Sequence, residues 1–308
     1  MINNGSPAGI WALLLVVLLA ALVLASLIAL CSGSAGIGLM DAVDILLYHK
    51  GTSDYAILTR IRLPRLVLGI AIGGSLSLSG VILQGMFKNP LVEPYTLGIS
   101  GGASLGVCLG ILLRLHDSLG IMAYPLSGFC GAGLVILLVY WLNRNQRFVS
   151  SSRMLLTGVM ISYVASSLVM LLMALADRNE LQNIVLWIMG SLDEPDPALV
   201  KLALAGSLLG LAAACVFSLD LNALLLGDDQ AASLGLNLSR TKKILFILAS
   251  FLTGLSVSVA GIIMFTGLIV PHFMRMITGP DHRILLVSSF LAGASFLVLC
   301  DVIARTII

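Results

Sequence analysis

Charge is what this 308-residue chain has least of. Only 10% of its residues are charged, 59% are hydrophobic, and the mean hydropathy is +1.08. Soluble domains carry about 25% charged residues, so this chain has too few to cover a soluble globule. The net charge of +2 also offers little to a polyanion. The composition excludes a soluble enzyme, a disordered chain and a nucleic-acid-binding protein, and it indicates a polytopic membrane protein.

Several motifs of catalytic and metal-binding proteins are also missing from the sequence. The five cysteines form no Cys-x-x-Cys pair and lie in or beside apolar runs, which favours packing over metal or redox chemistry. There is no GxxxxGK[ST] phosphate loop, no HExxH motif and no series of carboxylates within the apolar segments. We therefore expect no catalytic residues, no metal and no cofactor on this chain, and no energy source of its own.

The uncharged stretches predict the membrane segments, because a bilayer core about 30 Å thick needs roughly 20 helical residues. Seven stretches predict one helix each. Residues 244–274 predict two, since Gly261, Gly267 and Pro271 interrupt a run too long for one span. The stretches are residues 1–40, 66–87, 94–113, 118–143, 154–176, 202–219, 244–274 and 284–300. We predict an all-α transmembrane bundle of nine segments in a single domain, residues 1–308.

Basic residues between the segments bear on the orientation of the chain. With the N-terminus in the cytoplasm, they divide almost equally between the two faces, whereas the positive-inside rule expects a cytoplasmic excess. Half of the outer ones lie in one loop, residues 32–65. Either the outer face requires basic groups or the orientation is reversed, and charge counting does not decide between these alternatives.

Arg62-Leu63-Pro64-Arg65 lies immediately before the second segment. By composition alone, the simpler interpretation is that the two arginines anchor the helix end among lipid headgroups. The alternative is a docking site for carboxylates of a partner protein, for which planar guanidinium groups are well suited.

The longest predicted cytoplasmic loop, residues 220–243, exceeds the length that a simple connection needs. Asp228 and Asp229 favour the start of a helix, and a following glycine favours its end. Leucines such as Leu234 would be exposed there. The pattern predicts two short helices that present a surface to a partner.

Two other segments interrupt the apolar background. Residues 84–94 contain two prolines and form either a tight cytoplasmic turn or a shaped surface below a pore. His272 has no second histidine or carboxylate close in sequence, so we predict that it packs through a hydrogen bond rather than binding a ligand.

Taken together and in this order, these segments resemble the FecCD family, the permease subunits of ABC importers for ferric siderophores, haem and vitamin B12. The resemblance covers nearly the whole chain. The matching stretches are RLPR (62–65), QGMFKNPLVEPYTLGISGGA (84–103), SSSRMLLTG (150–158), LGDDQAASLGL (226–236), GLIVPH (267–272) with DHR (281–283), and DVIAR (301–305).

The resemblance implies ten helices per subunit in a bacterial cytoplasmic membrane, with both termini in the cytoplasm, which supports the first orientation. It also implies a second permease subunit, identical or related, two ATP-binding cassette subunits that bind ATP and Mg²⁺, and a substrate-binding protein on the outer surface. The sequence ends shortly after the DVIAR match, so we expect the family's tenth helix to be missing from it.

The resemblance also assigns residues to partners, and it reverses the preference for headgroup anchoring. Arg62, Arg65 and Arg305 match outer-face positions that pair with acidic residues of the binding protein. Ser151 and Ser152 match a cytoplasmic constriction. The helices that enter a groove of the ATPase match Leu226, Gly227, Asp228, Asp229, Ala231, Leu234 and Gly235.

On this resemblance we expect the permease of a type II ABC importer, without enzymatic activity of its own, that translocates a ferric siderophore or a similar iron chelate. Haem, cobalamin and an oxyanion are the alternative cargoes. The rival hypothesis from another class is an ion-coupled secondary transporter that works without an ATPase.

Overall fold

The computed structural model of the protein describes residues 7–33, 37–143, 151–194 and 196–307. All regular structure in these ranges is helical, which confirms the predicted all-α class. The α-helices are α1 Pro7–Cys31, α2 Leu39–Tyr48, α3 Ser53–Ala56, α4 Leu63–Phe87, α5 Ile99–Leu112, α6 His116–Leu119, α7 Ala123–Asn143, α8 Ser151–Leu175, α9 Arg178–Met189, α10 Pro197–Val216, α11 Ser218–Leu226, α12 Asp228–Ser233, α13 Leu238–Ala260, α14 Thr266–Thr278 and α15 His282–Ile307. A π-helical segment, Ile57–Arg62, joins α3 to α4 without a break.

Within the described ranges, seven helical stretches are long and apolar enough to cross a membrane, judged by length and composition. They are Gly9–Cys31, Ser53–Phe87, His116–Asn143, Arg153–Leu175, Pro197–Val216, Leu238–Ala260 and His282–Ile307. The two other predicted segments are α5, with 14 residues, and α14, with 13 residues. Both are shorter than a full span, so a multi-pass helical bundle is established and the count of nine membrane segments stays a prediction.

The two short helices owe their length to breaks in the backbone. A 3-10 turn, Pro94–Leu97, precedes α5, and Gly98 then adopts a left-handed conformation with φ +86°. Between α13 and α14 the chain leaves the helix at Gly261, with φ +69°, and re-enters it after Phe265, with φ +68°. The break predicted within residues 244–274 is therefore present.

α4 forms the centre of the bundle. Its side chains are buried almost throughout, and it packs against α10, α13, α14 and α15. α1 and α8, in contrast, leave most of their apolar side chains uncovered by protein. A helix that is apolar all round and not covered by protein suits contact with lipid.

Small residues allow α4 and α15 to approach backbone to backbone. A Cβ atom added at Gly73 of α4 would collide with the carbonyl oxygen of Gly293 in α15, and one added at Gly293 would collide with Ser77. In the same way, Gly102 and Gly131 bring α5 against α7. The glycine and serine stripes of the sequence therefore serve close helix packing.

We expect Gly293→Ala to lower the midpoint of thermal unfolding in detergent, because a methyl group there must force α4 and α15 apart, at a cost of about 1–3 kcal/mol. The matched control is Gly133→Ala in α7, where an added Cβ meets nothing within 4 Å. That variant should keep or slightly raise the midpoint, since alanine favours helix. Equal midpoints for the two variants would contradict a tight contact between α4 and α15.

Candidate functional sites

The loop predicted to meet a partner folds into two short helices, α11 and α12. Gly227, with φ +119°, makes the turn between them, and Gly235, with φ +89°, follows the end of α12. Both glycines adopt backbone conformations that other residues rarely take. Asp228 and Asp229 occupy the first turn of α12, where carboxylates favour a helix N-terminus.

The two helices divide their side chains between the bundle and the outside. Ala231 is completely buried, whereas Leu226 is 56% exposed and Leu234 is 67% exposed. These leucines, with Leu225, give the loop an apolar surface at one end of the bundle. We call this end, formed by α11, α12, the residues that follow α4 and the starts of α13 and α15, the α12 end.

Asp228 attaches α12 to the rest of the α12 end. Its Oδ2 lies 2.7 Å from Nζ of Lys242 in α13, and its Oδ1 lies 3.4 Å from Nζ of Lys88 at the end of α4. Partial burial acts to raise the pKa of Asp228, but hydrogen bonding and attraction from the two lysines outweigh it and hold the pKa below its usual value. The carboxylate is therefore charged at neutral pH, and the buried Lys242 has its partner.

Gln84 ties α4 to the short helix α14 at the same end. The buried Gln84 side chain donates to the carbonyl oxygens of Gly267 and Leu268 and accepts from Nη1 of Arg275 at 3.0 Å. Residues 84–94 thus do more than make a turn, because the segment begins with a side chain that contacts both ends of α14.

The three arginines predicted to dock a partner come together at the opposite end of the bundle. Arg62 is buried and donates to the carbonyl oxygen of Leu30, and Arg305 donates to that of Ala29. Both acceptors belong to the last turn of α1, whose carbonyls lack intrahelical partners. Two of the three arginines therefore cap α1 in this conformation.

Asp301 completes this cluster. Its Oδ1 lies 2.8 Å from Nε of Arg65, and its Oδ2 lies 3.4 Å from Nε of Arg305. Side-chain exposure is 11% for Asp301 and 24% for Arg65. The sequence motifs alone indicate no role for this acid. Its position near the end of an apolar stretch, four residues before Arg305, was the available signal.

Two other predictions have different outcomes. Ser151 and Ser152 begin α8, but their side chains lie outside the described part of the chain, so the constriction stays a prediction. The packing role predicted for His272 is wrong, because this side chain is exposed and its ring meets Phe273 edge-on. α14 turns Val270, Pro271 and Met274 inward instead.

Comparison with known proteins places this architecture. A family model described as the FecCD transport family matches residues 18–308. The chain belongs to the FecCD transport family.

Several curated FecCD relatives have assigned cargoes. The chain is 36% identical to the hemin transport system permease protein HmuU of Yersinia pestis, over 92% of this chain and 85% of that protein. It is 39% identical to the Fe(3+) dicitrate transport system permease protein FecD of Escherichia coli (strain K12), over 84% and 80% respectively. It is 38% identical to the cobalamin import system permease protein BtuC of Halobacterium salinarum, over 80% of this chain but only 65% of that protein.

A solved structure supports the same placement. The chain superposes with a TM-score of 0.84 and 28% identity on a metal-chelate type ABC transporter in an inward-facing conformation. The match covers 97% of this chain and 91% of that chain. The seven apolar helices, the short helices between them and the family match together describe a FecCD permease.

We expect Asp228→Asn to loosen α12, because the substitution removes the charge that holds two lysines and leaves the buried Lys242 unpaired. Hydrogen–deuterium exchange of residues 226–236 should become faster by about tenfold, the effect of losing hydrogen bonds to charged groups. The matched control is Asp229→Asn, one residue along and exposed, which loses only its interaction with the helix N-terminus and should speed exchange far less than Asp228→Asn.

The same loosening should appear in the parent protein in acid. Because the pKa of Asp228 is lowered in the folded state, its contribution is present at neutral pH and is lost as the pH falls through that lowered value. Equal exchange in the two variants would contradict the anchoring role of Asp228.

Proposed function

We propose that this chain is the membrane-spanning permease subunit of a binding-protein-dependent ABC importer. The observation that carries the proposal is the α11–α12 pair, in which exposed leucines face outward while Asp228 ties α12 to α4 and α13. Such a pair can enter a groove of an ATPase subunit and pass its movement to the membrane helices. Family membership supports this assignment.

The proposed mechanism needs no nucleotide site on this chain. Two partner ATPase subunits bind ATP and Mg²⁺ and close on each other, and α11 and α12 transmit that closure. The translocation path, formed with a second permease subunit, then changes between outward and inward access. This is a shift between two states that nucleotide binds with different affinity.

We propose that the α12 end faces the cytoplasm of a bacterial cell, as does the N-terminus. The guanidinium of Arg283, at the α12 end, lies 5.3 Å from the ring centre of Trp11 in the first turns of α1. The start of α1 therefore lies at the same end of the bundle as α11 and α12, which we call the coupling helices. This arrangement supports the N-in orientation.

The proposed cargo is a ferric siderophore or a similar iron chelate. A relative named for ferric dicitrate transport and a structural neighbour named for metal chelates support this class. Relatives named for hemin and cobalamin support the alternatives, and an oxyanion is the remaining one. An uptake assay that presents iron chelates and tetrapyrroles side by side therefore distinguishes these cargoes.

We expect uptake in proteoliposomes that contain this chain, its ATPase and its substrate-binding protein to require ATP and to stop with vanadate. An uncoupler should leave uptake unchanged, because the energy comes from ATP hydrolysis rather than an ion gradient. Radiolabelled ferric hydroxamate, haem and cobalamin, each loaded on the binding protein, identify the cargo. Uptake that survives vanadate and collapses with the uncoupler would instead establish an ion-coupled transporter.

We also propose that Arg65, with Arg62 and Arg305, docks the substrate-binding protein. Arg65→Glu should weaken the affinity of that protein for the reconstituted complex by about tenfold or more, because it places like charges opposite each other. The control is Arg60→Glu, an exposed arginine five residues earlier. Surface plasmon resonance measures both affinities. Equal affinities would assign the arginine cluster to the packing of α1 and α15 alone.

A further inference from the structure

A polar network joins α11 to the start of α15. Oδ1 of Asn222 accepts the backbone N–H of His282 at 2.8 Å and lies 2.9 Å from Nδ1 of the same residue. Nδ2 of Asn222 donates to Oδ1 of Asp281 at 2.8 Å. We call Asn222, Asp281 and His282 the α11–α15 latch.

The charge state of Asp281 fixes how Asn222 is oriented. Arg283 holds the carboxylate through its side chain at 2.7 Å and its backbone N–H at 3.0 Å. Hydrogen bonding from the Arg283 side chain is the main reason that the pKa of Asp281 lies far below its usual value. An ionised carboxylate can only accept, so it must face the amide nitrogen of Asn222. The amide oxygen is then left for the two His282 groups.

His282 connects the latch to α4, the helix at the centre of the bundle. The residue is fully buried, and its Nε2 lies directly over Gly85 of α4, where an added Cβ would collide with it. α11 is thereby connected through one buried ring to both α15 and α4. The preceding residue on α4 is Gln84, which contacts both ends of α14.

These contacts form one continuous route from the proposed coupling helices into the membrane helices. Each link is a hydrogen bond or a close contact between buried or partly buried groups. One link is a hydrogen bond to a charged acceptor, the stronger kind. Surface ion pairs, in contrast, tolerate rearrangement at little cost. The route therefore resists relative movement of α11, α15 and α4.

We propose that the α11–α15 latch is the joint through which movement of the coupling helices reaches α15 and α4, and that Asn222 and His282 are positioning residues for transport. This inference rests on the proposed function, in which an ATPase moves α11 and α12. A latch of this kind leaves ATP hydrolysis to the partner and determines how much transport each hydrolysis drives.

The test uses Asn222→Asp, which keeps the shape of the side chain and places a carboxylate against that of Asp281. In the complete complex in proteoliposomes, uptake per ATP hydrolysed should fall by about tenfold, within the usual range of coupling between sites. ATP hydrolysis itself should stay near the parent rate. The double variant Asn222→Asp with Asp281→Asn exchanges donor and acceptor and should restore most of the uptake.

The matched control is Asn237→Asp. Asn237 lies in the same loop and accepts a hydrogen bond from only three residues along, the N–H of Arg240 in the first turn of α13. Aspartate caps a helix as well as asparagine does, and the residue bridges no other helix through this bond. Uptake per ATP should match the parent. If Asn222→Asp fails to assemble, Asn222→Ala should lower the same ratio to a smaller extent.

Parent-like uptake per ATP in the Asn222 variants would overturn the latch. A fall of uptake and hydrolysis together, in proportion to the amount of folded complex and without rescue, would also overturn it, because that is the effect of a structural role alone. Failure of the proposed function would be seen separately, as uptake by the parent complex that vanadate does not inhibit. That result would also overturn the role proposed for the latch, because this role rests on the proposed function.

Discussion

The close approach of α4 and α15 is the constraint on which both candidate sites depend. Gly73 and Gly293 bring the two backbones together midway along the pair. At one end this pairing lets Arg65 of α4 reach Asp301 of α15. At the other end, the two helices meet where His282 fills the space over Gly85. One helix pair, held close by small residues, therefore aligns groups at both ends of the bundle.

The scarcity of charged residues explains why the charged groups opposite the α12 end are bound to each other or to backbone carbonyls. A chain with so few ionisable residues has little to leave unpaired near lipid, where an unsatisfied charge is costly. Arg62 and Arg305 satisfy two carbonyls in the last turn of α1, and Asp301 pairs with both Arg65 and Arg305. A partner that uses this face meets arginines already held in place, with Arg65 the more exposed of the pair bound to Asp301.

The sequence pattern predicted those features that depend on neighbouring residues. Uncharged length predicted the seven long helices, and glycine predicted the break after α13 and the turn between α11 and α12. The sequence pattern did not predict that α5 would be short, because the residues of the turn at Pro94–Leu97 count as part of the uncharged stretch. Nor could it find Asp301 with Arg65, or Asn222 with Asp281, because folding alone brings these distant positions together. The buried histidine is His282, although His272 stood out in the sequence.

The two attachments of α11 and α12, the proposed coupling helices, differ in kind, and the difference has a mechanical meaning. α12 is held by an aspartate whose side chain is 47% exposed, in ion pairs that water can partly replace. α11 is held by a network that reaches the fully buried His282, where a lost hydrogen bond leaves a buried polar group unsatisfied. Movement applied to this loop can adjust α12 against α13 more readily, because one partner of that ion pair is exposed to water, whereas α11 must carry α15 and α4 with it.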